Sequence, residues 1–184
     1  MIALAPWHHD FPGLLAGSVY AAPESRVAAA QALADTGIDV HVDVMVLSEG
    51  LPVSVSLAER QMISTTVDRE ALGVHVIGSG EFVDAVLPKI LTVRPGVVFL
   101  SWQAFTFERA HAIRAAGGSA RIAVWREWDG LADPQWSAEP DGVLLMLIEP
   151  GTRNPSPSTA GSTRKLRRCA QPPGSSRSSS AAPY

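Results

Sequence analysis

The segment Asp39-Val40-His41-Val42-Asp43-Val44-Met45 decides the fold of this chain. Apolar and polar residues alternate along it, which predicts a β-strand whose successive side chains point to opposite faces. His41 and Asp43 therefore share one face, and the valines share the other. An imidazole and a carboxylate on one face form half of a mixed nitrogen and oxygen metal site. The alternative is a buried histidine that is hydrogen-bonded to a neighbouring aspartate.

Short apolar segments, bounded by Gly, Pro or Asp, recur on both sides of this strand. The predicted strands are Leu15–Ala21, Asp39–Met45, Gly73–Ile77, Gly96–Ser101, Arg121–Trp125 and Gly142–Ile148. Helical patterns lie between them, at Pro23–Gly37, Leu57–Ser64, Glu81–Leu91 and Phe105–Ala116, with a helical turn over Leu131–Ser137. This alternation predicts an α/β fold with a parallel sheet. The spacing fits an open doubly wound sheet and a closed (β/α) barrel equally well.

Charge and composition divide the chain near residue 152. Residues 1–152 hold 9 Lys+Arg and 18 Asp+Glu, whereas residues 153–184 hold 6 basic residues, no acid, 8 Ser and 5 Pro. We therefore expect a folded domain over residues 1–152 and a disordered tail over residues 153–184.

Composition also limits the class of partner and the compartment. The acidic domain argues against nucleic-acid binding. No apolar run reaches the roughly 18 residues of a membrane span, and the amino terminus lacks the features of a signal peptide. The single cysteine, Cys169, fits the reducing cytoplasm, where we expect the protein.

His75 is the second candidate ligand, in the middle of the predicted third strand. Adjacent parallel strands lie about 4.8 Å apart, so His75 can complete a His-Asp-His arc with His41 and Asp43. On its own, a histidine in an apolar strand is more often a core residue whose nitrogens are satisfied by hydrogen bonds, and the dyad on the preceding strand makes the two interpretations about equal.

Four segments, in this order and at this spacing, resemble the ribulose-phosphate 3-epimerases: Ser18–Ala22, Thr36–Met45, Gly73–Asp84 and Asp141–Gly151. The resemblance covers about residues 15–151, and it implies a TIM-type barrel. A complete barrel takes about 250 residues, and residues 153–184 show no seventh or eighth strand pattern. We therefore expect an incomplete barrel of about six β-α units, from a divergent member with a truncated or frame-shifted carboxyl end.

The resemblance also implies roles for individual residues. The family holds a divalent metal ion, such as Zn, Fe, Mn or Co, with two His and two Asp. His41, Asp43 and His75 match three of these ligands, and Asp43 is also one of the two acid/base groups. The substrate contacts that the resemblance implies are Ser18, Met45, Met146 and Gly151.

The activity that the resemblance implies is epimerisation of a ketose phosphate such as ribulose 5-phosphate. A proton next to the carbonyl is removed and returned on the opposite face, through an enediolate that the metal ion stabilises. The second acid/base Asp, which is also the fourth ligand, belongs to the seventh strand, so we expect impaired activity. The alternatives are a non-catalytic barrel remnant or binding module, and a metal-independent barrel enzyme that binds a phosphorylated molecule. Unpaired sheet edges predict aggregation or a homo-oligomer.

Overall fold

A six-stranded, all-parallel sheet lies at the centre of the computed structural model, which describes residues 16–127 and 135–146. The strands are β1 (Ala16–Ser18), β2 (Asp39–Val44), β3 (Leu72–Val76), β4 (Val97–Ser101), β5 (Ser119–Val124) and β6 (Gly142–Leu145). The helices are α1 (Arg26–Ala34), α2 (Leu57–Thr66), α3 (Gly80–Leu91) and α4 (Phe107–Ala115). Within this part of the chain, no helix has the length and apolar character to cross a membrane.

The order of the strands distinguishes between the doubly wound sheet and the barrel, which the sequence fits equally well. Each strand pairs with the next one along the chain, in the order β1-β2-β3-β4-β5-β6. A doubly wound sheet reverses its direction of growth at a switch point, so that its helices cover both faces. Here the growth never reverses, and right-handed crossovers then place the helices on a single face. The sheet curls into half a barrel, which is compatible with an incomplete TIM-type barrel.

The hydrophobic core fills the space between the sheet and the helices. Residues in register across neighbouring strands form its central row, since Val42 pairs with Val74, Val74 with Val98, and Val98 with Ala120. All four side chains are fully buried. Burial of one such valine stabilises the fold by roughly 1.5–3 kcal/mol. Alternation along each strand then leaves the intervening side chains on the opposite, inner face of the curled sheet.

Three helices begin with a hydroxyl cap in the loops that leave the carboxyl ends of strands. Ser56 accepts a hydrogen bond from Glu59 N at 3.2 Å, and its capping box with Glu59 starts α2. Ser79 accepts from Phe82 N at 3.2 Å, and Thr106 accepts from Arg109 N at 3.4 Å. Each cap accepts a hydrogen bond from a backbone N–H that has no partner within the first turn of its helix. These caps fix the path of the loops at the edge where barrel enzymes carry their sites.

Most predicted elements lie within a few residues of the observed ones, with two informative exceptions. The first strand ends at Ser18, because its hydroxyl accepts a hydrogen bond from Tyr20 N at 3.3 Å and starts a 3-10 turn over residues 19–21. The fourth helix begins at Phe107 and not at Phe105, because Thr106 caps it. Residues 135–137 of the predicted helical turn are not helical. Predictions for residues 1–15, 128–134 and 147–184, including the tail and Gly151, lie outside the described residues.

Substitution of Gly96 by alanine tests the close packing of the residue before β4 against the backbone of Arg69 and Glu70. A Cβ atom at residue 96 would lie 2.6 Å from the carbonyl oxygen of Arg69 and 2.9 Å from Cα of Glu70, and neither backbone atom can move freely. We expect Gly96→Ala to lower the free energy of unfolding by about 1–3 kcal/mol in urea denaturation. Gly142→Ala is the matched control, since its Cβ would meet only the flexible side chain of Arg121. An equal effect of both substitutions would contradict this explanation.

Candidate metal centre

Strands β2 and β3 bring the three predicted ligands together on the inner face of the sheet. Their register pairs Asp43 directly with His75, and His41 lies two residues before Asp43 on the same face. His41 Nε2 lies 3.1 Å from Asp43 Oδ1, and His75 Nδ1 lies 3.4 Å from the same oxygen. One ligand atom from each residue lies within 4.8 Å of the others. This group, called the His-Asp-His cluster below, has a geometry that could hold a metal ion.

Burial and polar contacts set the ionisation of the cluster. Burial raises the pKa of Asp43, but its contacts with the imidazoles of His41 and His75 outweigh this effect and hold the pKa well below its ordinary value. Burial lowers the pKa of His75 below its ordinary value of 6.5. At neutral pH Asp43 is therefore a carboxylate and His75 a neutral imidazole, which are the forms that bind metal ions.

His75 Nδ1 is the atom that most favours a metal ligand over a satisfied core histidine. The His75 side chain is 3% exposed, and its buried Nδ1 makes no hydrogen bond of good geometry among the described residues, although Asp43 Oδ1 lies 3.4 Å away. A buried polar atom without a partner costs about 1–3 kcal/mol. A cation bound between the two imidazoles and the carboxylate would satisfy this nitrogen. Two nitrogens and one oxygen suit Zn, Fe, Mn or Co, so the residues fit the metal ion that the resemblance implies.

Ser18, a predicted substrate contact, lies against the cluster. Its register partner on β2 is His41, and its hydroxyl donates a hydrogen bond to Asp43 Oδ2 at 2.8 Å. The two oxygens of Asp43 therefore have different neighbours. Oδ1 faces both imidazoles and Oδ2 faces Ser18.

Phe99 and Arg121 continue the row on the inner face, and the sequence analysis did not identify them. Phe99 pairs with His75, and Arg121 pairs with Phe99. The Phe99 ring centre lies 5.4 Å from that of His41 and 6.2 Å from that of His75. Arg121 Cζ lies 6.0 Å from the Phe99 ring centre. Gly73 could have pointed to Phe99 from the sequence, because a glycine inside a strand often marks a place where another group approaches closely. In the structure, a Cβ at residue 73 would lie 3.3 Å from the Phe99 ring.

The other predicted substrate contacts are distributed unequally around the cluster. Met45 lies two residues beyond Asp43 and is 3% exposed. Met146 follows β6 and donates its N–H to the carbonyl of Val124 at 2.8 Å, so three strands separate it from β2.

The loop between β2 and α2 is fixed to the strands beneath it, and sequence reasoning missed its role. The Ser54 hydroxyl donates to the backbone carbonyl of Asp43, and the N–H of Val55 donates to the same carbonyl at 3.4 Å. Glu49 accepts hydrogen bonds from the N–H and the hydroxyl of Ser79, at 2.7 and 3.1 Å. These contacts hold the backbone of Asp43 and tie the loop to the start of α3.

Comparison of the chain with protein-family models and with curated proteins found no match.

Metal titration tests the cluster directly. We expect the chain, freed of metal with a chelator, to bind one equivalent of Co²⁺ or Zn²⁺. His41→Ala and His75→Ala each remove a ligand. Each should weaken binding by more than the 10–100-fold that loss of an outer hydrogen-bond partner typically costs. His111→Ala is the matched control, because His111 is exposed on α4 and stacks on Phe107. Unchanged affinity in His75→Ala would contradict a metal role for that residue.

The lowered pKa of His75 predicts a pH dependence of stability in the metal-free protein. As the pH falls through 6.5, the unfolded chain takes up a proton at His75 before the folded chain does. The free energy of unfolding should therefore decrease from pH 7 to pH 5. Urea denaturation with a chelator present measures this slope. His75→Gln should reduce the slope, and a slope unchanged from the wild type would argue against a buried neutral His75.

Proposed function

We propose that this chain is a metal-assisted epimerase of a ketose phosphate. The observation that carries the proposal is the unpartnered, buried Nδ1 of His75, which faces a carboxylate shared with His41 on the inner face of a barrel-type sheet. The cluster also lies near the carboxyl ends of β2 and β3, where barrel enzymes place their reactive groups. The segments that resemble ribulose-phosphate 3-epimerases contain all three of these residues.

In this proposal His41, Asp43 and His75 hold a divalent ion, and that ion supplies an electrophile that polarises the substrate carbonyl. Asp43 takes the proton from the carbon next to that carbonyl. Its lowered pKa keeps it ionised at neutral pH and ready to accept a proton. A carboxylate is a weak base, so removal of this proton would depend on the acidifying effect of a bound metal ion.

The inner face also carries a positive charge suited to an anionic substrate. Arg121 is half-buried on β5, in the same row as Asp43, His75 and Phe99. Its Nε donates to the hydroxyl of Ser119 at 3.2 Å. No carboxylate in the described part of the chain lies within 4.0 Å of it, although its charge acts to lower the pKa values of Asp39 and Asp141. A phosphorylated sugar would find its counter-charge here, on the far side of the Phe99 ring from the cluster.

A second candidate function is metal binding without turnover. Epimerisation needs a second group that returns the proton on the opposite face of the carbon. Within residues 16–127 and 135–146, Asp43 is the one carboxylate in the cluster. This observation favours a barrel remnant that binds metal and does not epimerise.

Isotope exchange separates the two candidates. We would incubate the full chain with ribulose 5-phosphate and Co²⁺, Zn²⁺, Mn²⁺ or Fe²⁺ in D₂O and follow the sugar by NMR. The epimerase should incorporate deuterium next to the carbonyl and form xylulose 5-phosphate. Asp43→Asn should slow both by about 10²–10⁴-fold, the usual contribution of a positioned acid/base group.

The control for this experiment is Asp84→Asn, which alters an exposed carboxylate on α3 that pairs with Arg109. Deuterium incorporation without xylulose 5-phosphate would show that proton abstraction occurs and proton return on the opposite face does not. Metal binding with neither result would contradict the epimerase and support the non-catalytic remnant. Full activity in the presence of a chelator would support the metal-independent alternative.

A further inference from the structure

We infer that Ser18 is a positioning residue, which acts through Asp43 by holding one carboxylate oxygen so that the other faces the metal ion. This role rests on the proposed metal centre and goes beyond the substrate contact that the resemblance implies for Ser18. The inference is carried by the hydrogen bonds that the Ser18 hydroxyl already makes within the chain.

The single proton of the Ser18 hydroxyl is already donated. A serine hydroxyl offers one donor and two acceptor lone pairs. Ser18 Oγ donates to Asp43 Oδ2 at 2.8 Å and accepts from the N–H of Tyr20 at 3.3 Å. To donate a hydrogen bond to a substrate, Ser18 would have to release Asp43. The Ser18 oxygen then has one lone pair left with which to accept a hydrogen bond.

The contact with Ser18 determines how the Asp43 carboxylate meets a cation. A carboxylate can bind an ion through one oxygen or through both. Here Oδ1 lies 3.1 Å from His41 Nε2 and 3.4 Å from His75 Nδ1, while Oδ2 is held by Ser18. A cation held by the two imidazoles would therefore meet Oδ1, while Oδ2 stays with Ser18. Without the Ser18 hydroxyl the carboxylate can rotate and bind through both oxygens.

The fold fixes Ser18 without any help from a substrate. Gly17 lets β1 lie against α1, because a Cβ there would overlap the Leu33 side chain. The parallel register then sets Ser18 opposite His41, two residues along the strand from Asp43. The 3-10 turn that follows holds the hydroxyl through Tyr20 N. These contacts preorganise Ser18 in the way expected of a group that orients a metal ligand.

Cobalt titration of the full, metal-free chain tests the role of Ser18. The visible absorption of bound Co²⁺ reports the number and arrangement of its ligands, and the titration reports its affinity. We expect Ser18→Ala to weaken Co²⁺ binding by about 10–100-fold, the range for loss of a hydrogen-bond partner of a ligand, and to change the absorption spectrum. Ser18→Thr keeps the donor and should restore both the affinity and the spectrum.

Thr106→Ala is the matched control, since it removes a capping hydroxyl of α4 that contacts no cluster residue. It should lower stability and leave the cobalt spectrum unchanged. If Ser18→Ala fails to fold, Ser18→Val replaces it, because it has the shape of Ser18→Thr, lacks the hydroxyl donor and adds no metal ligand. Equal affinity and identical spectra in wild type and Ser18→Ala would overturn the positioning role alone. A wild-type chain that binds no Co²⁺ would overturn the metal centre and the positioning role with it.

Discussion

The parallel register between β2 and β3 is the constraint on which the rest of the structure depends. It pairs Asp43 with His75 on the inner face and Val42 with Val74 on the outer face. A slip by one residue would turn the valines away from the helices and the ligands into the core. The same ladder of hydrogen bonds therefore determines both the hydrophobic core and the His-Asp-His cluster. A change of register between β2 and β3 would therefore disturb the hydrophobic core and the candidate site together.

The cluster is supported by contacts from several elements around it. Ser18 from β1 holds Oδ2 of Asp43, and Ser54 from the following loop holds its backbone carbonyl. Phe99 from β4 packs against both imidazoles. Outer contacts of this kind orient metal ligands and commonly matter almost as much as the ligands themselves. Burying polar side chains without partners costs free energy. The grouping of polar side chains on the inner face around the His-Asp-His cluster therefore favours a role in binding over a purely structural one.

Half a barrel gives this cluster an unusual setting. In a complete barrel, layers of side chains fill the interior. Here His41 and Asp43 are each 13% exposed, whereas the valines on the other side of the same strand are almost fully buried. Phe99 and Arg121, which lie next to the cluster on the same face, are also partly exposed.

The sequence by itself determined most of the elements and the three candidate ligands, because both depend on strand periodicity and spacing. Alternation over residues 39–45 predicted the strand and the shared face of His41 and Asp43, and the parallel spacing added His75. The two cap hydroxyls that moved element boundaries, Ser18 and Thr106, follow from hydrogen bonds whose choice depends on the surrounding packing.

Only the tertiary structure decided the strand order, and with it the half-barrel. A β-α repeat has the same local pattern in a doubly wound sheet and in a barrel, since the difference lies in which strands pair over long distances. Tertiary structure also decided that Ser18 contacts Asp43 and that Phe99 lies between the imidazoles and Arg121. These contacts join residues at least 22 positions apart along the chain, and register across neighbouring strands brings them together where no local pattern can.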